Sequence, residues 1–463
     1  MRTYIQPWLA RVISSSLLLD FKRRVHELKR IILRRPHLVS VFIRADDPYS
    51  YLLLQVLPEL AQRYKVSFRY YVVSHRMVLN RQDNMYPEPS LWHQNALRDS
   101  AHIAKLYQLD LPLLNQLPSP ELTKPVTNQL LALEPNDDFL EGALTVLKGY
   151  WNGDEVEFVK HKELELKELE LKDSEHKDSE HKDLDATLSD NEELLESLGH
   201  YLSATLHYAG EWYWGIDRLA HLERRLNTLK LSNSAEVVKF AENTKHFCQR
   251  LPKPEQYQKR PSTPLIIYFS ARSPYSYLGL LRGVALARHY TVPIEVKPVL
   301  PMMMRGMFVP PRKKWYIFAD TKREAITLGL DYGFVADPLG VGVERCYALF
   351  NYAKSQHKEV EYLLAFAKAV NARAIHSDTD RGMKKIVEQA GLEWSQAKPL
   401  LQKDETLNSD DWRQWAEANY AEMHSLGLWG VPCFRYADTT VWGQDRLDVI
   451  ERAICDAIVS VNT

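Results

Sequence analysis

Two stretches of this chain recur at nearly one distance along it, and that doubling limits the fold more than any composition can. Val41-Phe42-Ile43-Arg44-Ala45-Asp46-Asp47-Pro48-Tyr49-Ser50-Tyr51-Leu52 shares its layout with the stretch ending Ser273-Pro274-Tyr275-Ser276-Tyr277-Leu278, at an offset of 226 residues. Later, Trp214-Gly215-Ile216-Asp217-Arg218-Leu219 is echoed by Trp442-Gly443-Gln444-Asp445-Arg446-Leu447 at an offset of 228. Two unrelated anchors at almost the same spacing imply two copies of one domain, each about 190 residues long and within the ordinary domain range.

Each copy outlines a strand, a helix and a second strand, then a long helical middle, two short strands and a closing helix. In the second copy these are Leu265 to Phe269, Ser273 to Tyr290, Pro293 to Leu300, about Pro311 to Met423, Cys433 to Tyr436, Thr439 to Trp442, and Asp445 to Val459. A strand–helix–strand opening predicts a parallel pair with a crossover, and the closing hairpin adds antiparallel strands to the same sheet. Gly430-Val431-Pro432-Cys433 puts a proline at the first residue of a strand, a place for a cis peptide in a tight turn. The expected fold class is therefore α/β, two tandem thioredoxin-like domains, each with an α-helical insertion. The boundaries read as an N-terminal helical segment over 1–36, a first domain over 37–230, a linker over 231–263 and a second domain over 264–460.

Ser273 and Pro274 are the N-cap and first position of a helix that leaves a strand through a tight turn. Backbone N–H groups and the positive helix end then point at whatever sits beside Ser273, a resting place for an anion or a thiolate. Disulfide exchange would need cysteine at both outer positions of this turn, where the chain has Ser273 and Ser276. A hydroxyl there can instead donate to a bound thiolate and lower its pKa.

Ser-Pro-Tyr-Ser after the first strand, Pro310-Pro311 leading into Trp315, Gly430-Val431-Pro432 and Trp442-Gly443-Gln444-Asp445-Arg446-Leu447 occur in that order. Together they resemble the 2-hydroxychromene-2-carboxylate isomerase family, the DsbA-like branch of thioredoxin folds that includes the kappa-class glutathione transferases. The resemblance covers about Pro264 to Val459 and, more weakly, about Leu38 to Leu229. It implies glutathione as cofactor, with Ser273 holding its sulfur beside Pro274 and Tyr275. By the same resemblance the backbone of Val431 before Pro432 pairs with the tripeptide as an added strand. Gln444 and Asp445 take its γ-glutamyl end; Asp445 also suits the N-cap of the last helix. Arg312, Lys314 and Trp315 supply cations and a flat apolar face for an aromatic carboxylate substrate, or else form a solvated basic turn. Kappa-class members carry asparagine two residues before the proline pair, where this chain has Phe308. The function implied is a glutathione-dependent isomerase or transferase on a small aromatic or electrophilic substrate. A DsbA-like disulfide oxidoreductase and a non-catalytic thiol- or peptide-binding protein are the alternatives. Cys433, next to Pro432, is read either as a thiol facing Ser273 or as a small buried residue.

In the first copy Asp47 replaces the serine, and Ala204 falls where Pro432 does. An acid caps a helix well but repels a thiolate, so this copy is expected to keep the fold without the sulfur site. Its expected use is structural, an internal pseudo-dimer partner for the second copy. A charged pentad repeat over 160–190 predicts a solvated helix or disordered insert, and the histidines within it lack metal geometry, so no metal is expected.

Lys and Arg total 59 against 60 Asp and Glu, a net charge of -1, so no global field favours nucleic acid. Four scattered cysteines without a C-x-x-C pair suit a reducing compartment, and no export signal or integral membrane segment is read, which places the chain in the cytoplasm. From Phe21 a basic amphipathic helix runs to Pro36. It is expected to pack on its own domain as a solvated helix, with a membrane surface or acidic partner as the other reading.

Overall fold

The structure is a computed structural model that describes residues 2–74, 89–113, 117–153, 174–233, 237–240, 257–402 and 410–462. The chain divides into two compact units, Lys22–Glu242 and Met1–Phe21 with Asn243–Thr463.

In the unit Lys22–Glu242, β1 (Leu38–Ile43) pairs in parallel with β2 (Ser67–Val72), and the helix Pro48–Arg63 crosses between them. β3 (Thr205–Tyr208) and β4 (Glu211–Trp214) complete a sheet of order β2-β1-β3-β4, with antiparallel pairing on that side. The two-residue hairpin turn has φ 49° at Ala209 and 84° at Gly210, the left-handed pair that matches strand twist. The helices Pro89–Tyr107, Pro120–Leu133, Phe139–Asn152 and Ser174–Ser197 fill the middle, and Leu219–Thr228 closes the unit. Residues 160–173 of the pentad insert, including His161, lie outside the described residues. From Ser174 the chain is helical, and Asn191 anchors that helix by donating from Nδ2 to Val72 O at 3.0 Å and Glu134 Oε2 at 2.8 Å.

The other unit repeats the plan with β5 (Leu265–Phe269), β6 (Ile294–Pro298), β7 (Cys433–Tyr436) and β8 (Thr439–Trp442) in the order β6-β5-β7-β8. Again the first pair is parallel and the others antiparallel. Helix α1 (Pro274–Tyr290) makes the crossover, helix α2 (Pro311–Thr327) opens the helical middle, and helix α3 (Leu447–Asn462) closes the unit. Apolar residues of β5, α1, α3 and the inserted helices form one core that includes Ile267, Leu278, Val284, Tyr347, Phe366 and Ile450. Each such side chain contributes about 1.5–3 kcal/mol by leaving water.

The N-terminal residues do not stand as a segment of their own. The helix Arg2–Ile13 belongs with the second sheet's unit: Trp8 meets Phe334 edge-on at 5.0 Å, and the Ser14 hydroxyl donates to Gly333 O at 3.4 Å. Gly333 has φ 112° and a Cβ there would stand 2.2 Å from Ser14 Oγ, so glycine is required by both space and backbone. The basic helix spans Ser16–Ile32 and has no buried residue; it meets the fold through Arg23, which pairs with Glu211.

Candidate functional site

The turn from β5 into α1 is built by hydrogen bonds in which the hydroxyls of Ser273 and Ser276 both accept. Ser270 N donates to Ser276 Oγ at 3.3 Å, and Ala271 N donates to Tyr347 Oη at 3.3 Å. Ser273 is the extended N-cap, with φ -77° and ψ 121°, and its Oγ accepts from Ser276 N at 3.2 Å. With that lone pair engaged, the half-buried Ser273 hydroxyl can donate outward, beside the helix N-terminus. Pro274 occupies the first helical position, where its missing N–H costs no bond.

The Val431–Pro432 peptide is cis. Pro432 packs against α1 at Gly279, where an added Cβ would lie 2.7 Å from Pro432 Cγ, so the bare glycine lets the proline approach. The fold thus brings Ser273, Pro274 and Pro432 to one helix, and half-buried Val431 stands just before the β7 ladder begins. Gly443 N donates to Pro432 O at 2.9 Å and ties the cis turn to the end of β8.

Polar side chains brace this arrangement from behind. Tyr275 donates to Asp320 Oδ2 at 2.7 Å, joining α1 to α2, and Arg323 holds the other carboxylate oxygen at 2.7 Å. Asp320 and Glu324 are fully buried, although their spacing with Arg323 on one helix is that of surface charges, and Asp320 pairs with Arg323 three residues on. Gln444 is also buried: Arg282 donates to its backbone O at 2.9 Å and its Oε1 at 3.1 Å, and its Nε2 donates to Glu324 Oε2 at 3.3 Å. The Gln444 side chain therefore turns inward and props the turn from the core, while Asp445 beside it is half-buried.

Lys314 and Trp315 are exposed on the first turns of α2 and Arg312 is half-buried. Between them Lys313 is buried, and desolvation lowers its pKa to about 8. Arg272, just before Ser273, makes a two-bond pair with Asp337 at 2.8 and 2.7 Å. No spacing in the sequence signals that pair.

Cys433 does not face Ser273. Pro432 and Phe434 point at α1, so strand alternation sends Cys433 to the opposite face, among Tyr268, Val299, Met423 and Leu428. Its thiol donates to Gly430 O at 2.7 Å. Among the described residues Cys346, Cys433 and Cys455 are free thiols, and no group of acids, histidines and cysteines is arranged to hold a metal.

The corresponding turn of the first sheet is closed on itself. Asp47 is the N-cap, accepting from Tyr49 N at 3.1 Å and from the Ser50 hydroxyl at 2.9 Å. Ser203, the counterpart of Val431, donates to the same Asp47 Oδ2 at 2.6 Å. Gly215 N donates to Ala204 O at 2.7 Å, as Gly443 N does to Pro432 O, which equates Ala204 with the cis-proline. The buried carboxylate lies where an external anion would approach the helix end. Burial raises its pKa above the ordinary range, with Arg44 and the serine bonds opposing. A Tyr49–Asp99 bond of 2.8 Å matches Tyr275–Asp320, and Trp92 lies seven residues before its aspartate, as Lys313 does.

A parallel strand–helix–strand unit, an antiparallel hairpin, a cis-proline packed against the crossover helix and an inserted helical layer define a thioredoxin-fold domain of the DsbA type. Residues 264–455 match the DSBA-like thioredoxin domain family, so this part of the chain is a DsbA-like thioredoxin domain. Among solved structures, 2-hydroxychromene-2-carboxylate isomerase is 22% identical, covers 43% of this chain and 99% of its own, and has a TM-score of 0.37. A probable DsbA oxidoreductase from Streptomyces coelicolor is 19% identical, covers 42% of this chain and 89% of its own, at TM-score 0.33. A thioredoxin-like oxidoreductase from Silicibacter pomeroyi DSS-3 is 17% identical, covers 41% of this chain and 86% of its own, at TM-score 0.27. A search of curated proteins returns no significant match.

Proposed function

We propose that the second unit binds glutathione at the Ser273 turn and acts as a glutathione-dependent isomerase or transferase on a small aromatic or electrophilic substrate. One observation carries this reading: a serine N-cap with a hydroxyl proton to donate stands on the same helix that the cis Val431–Pro432 turn packs against. The donor set fits a thiolate at the sulfur end, since a hydroxyl and a helix N-terminus both favour the charged form. At the γ-glutamyl end Asp445 carries the charge suited to an ammonium group, and the Gln444 amide is engaged with Arg282 and Glu324. When bound, glutathione supplies a sulfur nucleophile. Ser273 then holds the negative charge at its Oγ–H, the Val431 backbone orients the peptide, and Arg312, Lys314 and Trp315 attract and stack an aromatic carboxylate.

The alternative of disulfide exchange has no paired thiols at this turn, where Ser273 and Ser276 stand. For the first unit we propose a structural part, because the Asp47–Ser203 clasp already fills the anion position. Reduced thiols suit a reducing compartment such as the cytoplasm. Turnover of an electrophile panel and of a cis–trans isomerisable aromatic enone, with and without glutathione, tests the reading. A glutathione-dependent rate that falls in Ser273→Ala supports it; insulin reduction without any such rate would replace it with disulfide chemistry.

A further inference from the structure

The helix Ser16–Ile32 carries an apolar stripe that nothing in the proposed chemistry uses. Leu17, Phe21, Val25, Leu28 and Ile32 recur at steps of three and four and so share one face. Their exposure runs from 48% at Val25 to 81% at Leu17, and Ile31 at the stripe's edge is 54% exposed. The opposite face is the one that rests on the fold: Arg23 forms a two-bond pair with Glu211 at 2.7 and 2.8 Å, and His26 lies against Gly210 at the hairpin tip. The helix is thus held by its polar back, with its apolar front turned to solvent.

The charge around that front is one-sided. Residues 2–35 hold nine lysines and arginines against two acids, a surplus of seven positive charges in a chain whose net charge is -1. Arg23 is paired with Glu211, and Glu27 is paired with Arg30. Lys22, Arg24, Lys29, Arg34 and Arg35 are all exposed along or just beyond the stripe. Two such helices brought together would set these cations against one another, whereas an anionic sheet of headgroups would attract them all. Among the described residues no helix is long and apolar enough to cross a membrane, so the stripe suits lying in an interface rather than spanning it.

We propose that this helix docks the protein on an anionic lipid surface, its apolar stripe entering the headgroup boundary and its cations meeting acidic lipids. The test is co-sedimentation of the full chain with vesicles of equimolar phosphatidylserine and phosphatidylcholine, and with phosphatidylcholine alone. Binding should occur on the mixed vesicles, weaken with added salt and be far weaker on phosphatidylcholine. Each exposed Lys or Arg should be worth about fivefold in affinity, so Lys22→Gln with Lys29→Gln lowers it about 25-fold. Phe21→Ser with Leu28→Ser should abolish binding while leaving the thermal unfolding curve unchanged, since both side chains already face solvent. Equal binding to both vesicle types, no binding to either, or full binding by the serine variant would overturn the proposal. Self-association of the free chain, lost in the serine variant without vesicle binding, would instead assign the stripe to a second copy and also overturn it.

Discussion

Gly279 is where the account of the site is most sensitive to a single atom. Replacing it with alanine puts a Cβ 2.7 Å from Pro432 Cγ, 2.8 Å from Pro432 Cβ and 3.2 Å from Phe434 Cζ. Carbon atoms rest at about 3.5–4.0 Å, so helix or strand must give by roughly 0.8–1.3 Å. The proline ring cannot swing aside as a flexible chain would. Overpacking of this kind costs about 1–3 kcal/mol, against which removing a helix-interior glycine returns about 1 kcal/mol. The Gly149→Ala variant separates the two effects, because a Cβ at Gly149, within the helix Phe139–Asn152, meets nothing within 4 Å. Gly149→Ala should stabilise the chain by up to about 1 kcal/mol, and Gly279→Ala should fall below it by about 1–3 kcal/mol. Urea unfolding of both variants measures that difference, and glutathione affinity should drop only in Gly279→Ala. Equal stability in the two variants, with affinity unchanged, would refute the claim that Pro432 is seated on α1 through this glycine.

Other consequences follow from the same contacts. Ser273→Ala should lose about 1 kcal/mol of stability through the missing N-cap acceptor, measured by denaturation of the second unit's transition. Asp47 is harder to ionise in the fold than in the unfolded chain, mainly because it is buried. Its contribution to stability is full below the unfolded pKa and is lost as pH rises through the folded one. Asp47→Asn should therefore match the parent in acid and exceed it near neutrality, which a pH series of melting curves checks. Lys313 runs the other way: its pKa is lowered by burial to about 8, so its contribution is full at high pH and lost as pH falls through that value. Lys313→Met should stabilise the chain at pH 7 by at most about 3 kcal/mol and have little effect at alkaline pH; no gain at pH 7 would show that the lysine keeps its charge solvated.

What could be read from the sequence is what local chemistry fixes. The N-cap pair Ser273-Pro274, its counterpart Asp47-Pro48 and the two Trp-Gly-x-Asp-Arg-Leu runs mark turns and helix starts, and they locate both sheets. The cis peptide at Pro432 stands where a proline at a strand's first residue suggested it. Contacts made across the chain were not legible. Ser203 meets Asp47 across 156 residues and Arg282 meets Gln444 across 162, and neither spacing carries a periodic signal. Strand alternation could have placed Cys433 away from Ser273, since its neighbours Pro432 and Phe434 both face α1. Asp320 and Glu324 look like surface charges because helical spacing reports local pairs, whereas their burial depends on Tyr275 and Gln444 arriving from other elements.

We propose above all that Ser273, at the N-terminus of α1, holds the sulfur of glutathione. Isothermal titration calorimetry of glutathione into the full chain and into Ser273→Ala tests it most directly. Binding to the parent chain that releases protons as the thiol ionises, with both affinity and proton release reduced in Ser273→Ala, is the predicted result. Absence of binding to either protein, or identical binding and proton release in both, would contradict it.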